Sequence, residues 1–362
     1  MITVAAAISK DLVRRLGERL DAVNPRFDVV GFVGAATTLL HGDDVLARIG
    51  AVSHRLSLAL PGHFPAAVRV VVGAAEHQTP PISVWEAVIL NHFVETYGIP
   101  HVAESLDAME VLTRHASCEL ALRPFLAWRD ERTWARVEDW ARSADPELRR
   151  LAATGTRPRL PWGMAVPGLE EQPERSIALL DLMSGDPVPE VRRAVADHLC
   201  DIAEDHPDLA VATARRWIGD EGVEAVEIAM HGLRRLAHRG HAGALDVLGF
   251  SEEASLEVLR FWCEPCLLGV PGAVELRAEL RSTSRAPQRV ALDYVVHYAT
   301  EGEATKQFRW STLELAPGES TIVRKRHCSG DLRIRARDTG VPRVELMVSG
   351  ETLAETVLDL GT

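Results

Sequence analysis

The sequence predicts a chain in two parts: an N-terminal all-α solenoid of HEAT-like repeats over residues 1–250, then a C-terminal immunoglobulin-like β-sandwich over residues 251–362. Three observations carry this. Apolar residues recur at three- and four-residue steps through the first part. An arginine pair returns at intervals of 43 and then 42 residues. Beyond Phe250 the apolar period falls to two. At about 150 residues per domain, 362 residues are also too many for one core.

In the first part, Leu12, Val13, Leu16, Leu20 and Val23 mark one face of an early helix, and Val191, Ala194, Val195, Leu199 and Ile202 one face of a later helix. Breakers fall between such runs: Pro61-Gly62, Pro80-Pro81, Gly98-Ile99-Pro100, Asp145-Pro146, Asp186-Pro187, His206-Pro207 and Gly240. The arginine pairs Arg149-Arg150, Arg192-Arg193 and Arg234-Arg235 sit in the similar settings PELRRLA, PEVRRAV and HGLRRLA. A period near 40 residues with two or more helices each is the mark of stacked HEAT-like repeats.

In the second part, Val274, Leu276, Ala278 and Leu280 alternate with charged residues, and Leu292, Tyr294, Val296 and Tyr298 repeat the pattern. Further strands are expected at Gln307–Leu315, Ser320–His327, Leu332–Arg337, Arg343–Ser349 and Thr352–Leu358, separated by Gly302, Ala316-Pro317-Gly318, Ser329-Gly330 and Gly350. About seven short strands in this length predict a small antiparallel sandwich.

Forty basic against 52 acidic residues give a net charge of -12, which taken as a bulk figure opposes nucleic-acid binding. The charge is unevenly spread, however. Arg142 to Arg159 carries five arginines against Asp145 and Glu147, and Arg324 to Arg337 is more basic still. No stretch of about 18 uncharged apolar residues exists to cross a bilayer. The start lacks the features of a secretory leader, and five scattered cysteines form no disulfide framework, so a reducing, cytoplasmic setting is expected.

Several residues could carry chemistry. Glu119, in SCELALRPFL, has the plain alternative of a helical ion pair with Arg123. The segment TGTRPRLPW, Thr154 to Trp162, locks two arginines between two prolines beside an indole, suited to phosphate and sugar contact; the plain alternative is a linker whose Trp fills the core. Asp201 shares a helical ridge with Asp197 at the border of an apolar stripe, on which His198 is expected as a core residue. Cys263 and Cys266 have no second pair at zinc-ligand spacing, so no metal site is expected there.

Taken in order, SCELALRPFL, GTRPRLPW, PEVRRAVADHLCDIAEDHPD and LRRLAHRGHAGALDVLGF, followed by a β domain with LDYVVHY and LELAPGES, resemble the AlkC branch of the AlkC/AlkD HEAT-like DNA glycosylases over nearly the whole chain. The resemblance implies hydrolysis of the N-glycosidic bond of cationic alkylated bases, 3-methyladenine in particular, in double-stranded DNA, by a monomer without cofactor and without deep base flipping. The Glu of the family's SEFxxRPF motif matches Glu119, and the Asp of its HLxDI motif matches Asp201. Thr154 stands where the family has a further Glu; a hydroxyl orients water but brings no charge. Trp162 is expected against the lesion's deoxyribose. Arg157, Arg159, Arg150, Arg193 and Arg235 are expected on DNA, with Arg333, Arg335 and Arg337 as a second grip. Two other functions stay open: a damage-binding protein with weakened catalysis, and a solenoid that binds another protein.

Overall fold

Helix after helix in the first part opens on proline or a capping side chain. The computed structural model describes residues 4–42, 44–77, 80–251, 254–265, 273–297, 305–328 and 343–357. After a short 3-10 turn come α1 (Lys10–Val23), α2 (Val29–Thr37), α3 (Val45–Ala59), α4 (Phe64–Glu76), α5 (Val84–Tyr97), α6 (Val102–Leu112) and α7 (Glu119–Ala127). Then follow α8 (Glu131–Ala141), α9 (Pro146–Gly155), α10 (Pro173–Asp181), α11 (Pro189–Asp205), α12 (Pro207–Glu221) and α13 (Val223–Gly232). Ser9 caps α1, Ser83 and Glu86 form a capping box on α5, and α9 to α12 each begin on proline, whose missing N–H costs nothing there.

The chain divides into two compact units, the first holding Met1–His206 with Trp217–Gly232. In it α3, α5, α7, α9, α11 and α13 pack side by side as one layer, and α4, α6, α8 and α10 form a second. The stripes read from the sequence are the buried ones: Leu12, Val13, Leu16 and Leu20 on α1, and Val191, Ala194, Val195, Leu199 and Ile202 on α11.

The arginine pairs report the repeat directly. Arg149 Nη1 reaches back to the carbonyls of Ser143 (2.8 Å) and Ala144 (3.1 Å), while Nε and Nη2 hold Asp186 at 2.5 and 3.0 Å. Arg192 does the same one repeat later, with Nη1 on the carbonyls of Asp186 and Pro187, both at 3.0 Å, and Nε on Glu227 at 2.7 Å. Arg149 and Arg192, the first arginines of the first two pairs, are therefore staples between successive repeats. Close approach is built in similarly: a Cβ on Gly155 would lie 2.7 Å from Leu122, and one on Gly232 2.8 Å from Leu199. A side chain at either helix end would force the layer apart.

The second unit holds Pro207–Arg216 with Leu233–Thr362. Among the described residues, two short helices, α14 (Arg234–His238) and α15 (Ala242–Val247), precede seven strands: β1 (Leu256–Pro265), β2 (Ala273–Ser282), β3 (Gln288–His297), β4 (Thr305–Leu315), β5 (Ser320–Cys328), β6 (Arg343–Val348) and β7 (Glu351–Val357). They form antiparallel sheets of order β1-β2-β5 and β4-β3-β6-β7. The core between them is Val274, Leu276, Ala278 and Leu280 facing Val290, Leu292, Tyr294 and Val296, completed by Trp310, Val344, Leu346 and Val348.

The change from helix to strand falls near residue 250, between α15 and β1, but the compact units divide elsewhere. Residues 233–250 are fastened to the strands. Arg289 Nη1 donates to the Leu248 carbonyl at 2.9 Å and lies over the Phe250 ring, while Arg309 reaches His238 Nε2 at 3.2 Å and Asp293 at 2.9 Å. Gly240 and Gly350, both at positive φ, meet backbone to backbone, with 2.5 Å from a Cβ on Gly240 to the Ser349 carbonyl. Arg234 and Arg235 thus belong to the same compact unit as the sandwich. Strand β1 has no counterpart among the strands expected from sequence, and the expected strand Leu332–Arg337 lies outside the described residues.

Candidate nucleic-acid interface and active site

The loop after α9 is held from two sides. Arg123, buried in α7, donates from Nε to the Met164 carbonyl (2.7 Å) and from Nη1 to those of Gly155 (3.3 Å) and Arg157 (2.5 Å). Its guanidinium is spent on backbone, so the helical pair with Glu119 that the spacing allows does not form. Burial lowers the Arg123 pKa, with Asp201 opposing that shift.

From the other side comes a ridge on α11. Asp197, Asp201 and Asp205 stand one helical turn apart, and each meets a basic side chain. Asp201, with 7% of its side chain exposed, takes Arg157 Nε at 2.8 Å and Nη2 at 3.0 Å, and accepts the Arg159 backbone N–H at 3.3 Å. Asp205 takes Arg159 Nη2 at 2.7 Å, and Asp197 takes His231 Nε2 at 2.5 Å with Arg193 3.8 Å away. Burial works against the charge on Arg157, but the hydrogen bonds and charge of Asp201 hold its pKa above the ordinary value. Arg157, read from sequence as a phosphate contact, is committed to Asp201; Arg159 is half-exposed beside Asp205.

So clamped, the loop presents Trp162. Its side chain is 85% exposed, which removes the alternative of a core plug, and its φ of 62° is a left-handed conformation unusual for a residue with a Cβ. An exposed indole on a strained, firmly held backbone is a contact surface rather than a packing element.

Thr154, Arg150 and Arg193 meet in an open groove of about 510 Å³ between α9 and α11, which Arg157, Pro189, Glu190, Ala194 and Asp197 also line. In the first two pairs the second arginine, Arg150 or Arg193, faces this groove while the first, Arg149 or Arg192, staples the repeat. Arg150 is steadied by Glu147 at 2.6 Å, and Arg193 is exposed. Glu119 does not line the groove. It opens α7, where the helix dipole favours a carboxylate, and accepts from Ser117 Oγ at 2.9 Å. Beside it the Cys118 thiol is pushed up by burial and by the Glu119 charge, so it is no nucleophile.

His198 is a core residue as expected: fully buried, bonded to the Ala153 carbonyl at 2.9 Å, its pKa pushed down to about 3 by burial. Arg235 lies in the second unit on α14, while Arg333, Arg335 and Arg337 lie outside the described residues, as does Cys266. Sequence reasoning missed Asp205 and His231. The four-residue spacing of Asp197, Asp201 and Asp205 was the available signal for the first; nothing local announces the second.

The fold and site define a HEAT-like helical-repeat protein with a C-terminal immunoglobulin-like sandwich. Residues 257–362 match the family described as the C-terminal Ig-like domain of the uncharacterised protein YhaZ. The chain is 27% identical over 306 residues, 84% of either chain, to the uncharacterized protein YhaZ of Bacillus subtilis (strain 168). It superimposes with a TM-score of 0.88 and 28% identity, over 98% of both chains, on the Pseudomonas fluorescens alkylpurine DNA glycosylase AlkC bound to DNA containing an abasic site analog. The AlkC-type resemblance therefore extends over 98% of the chain.

Proposed function

We propose that the protein is an alkylpurine DNA glycosylase that hydrolyses the N-glycosidic bond of cationic alkylated bases such as 3-methyladenine in duplex DNA. The observation that carries this is the loop geometry: Trp162 is held out at positive φ by Arg123 from within and Asp201 from α11, beside a groove bearing Arg150 and Arg193. The similarity to AlkC supports it.

A methylated purine already carries positive charge and departs readily, so the protein has to stabilise an oxocarbenium-like sugar and supply water. The C1′–N bond breaks with its electron pair passing to the base, which leaves neutral. Water adds to C1′, and its surplus proton passes to a carboxylate or to solvent. Glu119, which accepts a hydrogen bond from Ser117 Oγ, is assigned to the developing cation and the water. Asp201, paired with Arg157, adds negative potential and fixes the loop. Trp162 rests on the deoxyribose, and Arg150 and Arg193 take phosphates. The protein is proposed to act as a monomer without cofactor, in the cytoplasm.

The test is release of 3-methyladenine from methylated duplex DNA. The purified protein should release it, and Glu119→Gln should slow release at least tenfold. No release by the wild-type protein would overturn the proposal.

A further inference from the structure

We infer that a pocket between the end of α7 and the start of α10 binds a phosphate group; this does not rest on the glycosylase function. The pocket holds about 200 Å³ and shares no lining residue with the groove between α9 and α11. Ser176, on α10, lines it while being fully buried, and its Oγ has no hydrogen-bond partner among the described residues. A helical serine commonly turns its hydroxyl back onto a carbonyl of the preceding turn, and this one does not. An unpaired buried hydroxyl is costly, and an acceptor entering the pocket would satisfy it. The N-terminus of α10 points the same way: Gln172, its capping residue, also lines the pocket and makes no side-chain cap bond. The positive end of the helix is thus left to an outside anion.

Two arginines complete the lining. Arg175 is fixed in place: it pairs with Glu131 at 3.1 and 2.7 Å and lies 4.4 Å over the Trp134 ring. Glu131 thereby offsets the Arg175 charge. Arg129 is not offset, since its side chain makes no hydrogen bond or ion pair among the described residues. It follows α7 at a φ of 55°, and a Cβ on Gly168, across the pocket, would lie 3.5 Å from its Nη2. Glu174, the acid in the first turn of α10, is exposed and does not line the pocket. The balance therefore favours an anion. A guanidinium, an uncapped helix end and a hydroxyl suit one that accepts on several oxygens at once, as phosphate does. The volume admits that group and little more, too small for an attached sugar and base. A free phosphorylated molecule and a nucleic-acid strand present the same group. Either would tether the α9–α10 connection, which carries both Trp162 and Gly168, to the end of α7.

The experiment is equilibrium dialysis of labelled inorganic phosphate against the full-length protein at constant ionic strength. Binding should saturate with a Kd of about 1 mM or tighter. Arg129→Gln and Ser176→Ala should each weaken it about fivefold or more, with denaturation midpoints in phosphate-free buffer unchanged, since neither side chain forms a bond that folding needs. Arg132→Gln, which alters an exposed arginine outside the pocket, should bind as the wild type does. Sulfate should displace the label and acetate should not. Undamaged duplex DNA separates the two sources: displacement of the label assigns the pocket to a strand phosphate, and retention of the label on the DNA-bound protein assigns it to a small phosphorylated molecule. Absence of saturable binding, binding unaltered in both Arg129→Gln and Ser176→Ala, or displacement by acetate as readily as by sulfate would overturn the inference.

Discussion

Arg157 and Asp201, far apart in sequence, share a two-pronged ion pair with Nε at 2.8 Å and Nη2 at 3.0 Å, mostly out of solvent. The pair joins the Trp162 loop to α11. Removing one partner strands a part-buried charge, so Asp201→Asn should cost about 3 kcal/mol in chemical denaturation. Replacing both residues by leucine should recover most of that stability without recovering base release. Full release by the double-leucine variant would show that the pair serves folding alone.

Trp162 separates stability from function in the opposite sense. A left-handed conformation costs a residue with a Cβ about 1 to 2 kcal/mol, and an exposed indole repays little of it by burial. Trp162→Gly should therefore unfold at the same denaturant concentration or slightly higher, and release 3-methyladenine at least tenfold more slowly. A clear loss of stability would assign the indole a packing role instead.

The two members of each arginine pair should behave unlike each other. Arg150→Gln and Arg193→Gln should each lessen the salt dependence of duplex binding by about one unit in the slope of log affinity against log salt, with little change in stability. Arg149→Gln should leave the slope alone and destabilise by about 3 kcal/mol, because it orphans Asp186, whose side chain is only 4% exposed. Equal salt slopes for all three variants and the wild type would remove Arg150 and Arg193 from the DNA interface. This pattern also reconciles a net charge of -12 with a nucleic-acid function, since few cations are needed when they share one groove.

Which parts of this were legible in the sequence follows from how local each signal is. The spacing of Arg149 and Arg192 disclosed the repeat because both arginines grip carbonyls five and six residues back, a local geometry. The pairing of Arg157 with Asp201 was hidden, since it depends on how one repeat lies on the next. Strand β1 escaped for a different reason: a bulge between Val258 and Arg260 shifts the phase, so Leu256 and Val258 face the core on even numbers, Phe261 and Cys263 on odd ones. Trp162 was legible as a residue of interest from its prolines and arginines, but its exposure and positive φ arise from Arg123, buried in another helix.

His198 should make the first unit sensitive to acid. Burial pushes its pKa from 6.5 down to about 3, with Arg157 and Arg123 adding to the shift. Between those values the unfolded chain binds a proton that the folded chain refuses, so stability falls as the pH drops from about 6.5 toward 3, by at most about 1.4 kcal/mol per pH unit. In the second unit two groups oppose each other. Burial lowers His238 to about 4, which also costs stability in acid, while burial raises Asp293 to about 6, which makes the folded state bind the extra proton and lose stability as the pH rises. Their contributions largely cancel between pH 4 and 6. His198→Asn keeps a donor for the Ala153 carbonyl and removes the titration. Denaturation midpoints measured from pH 7 to 4 should thus decline less steeply in His198→Asn than in the wild type, and parallel curves would show that His198 is not the group responsible.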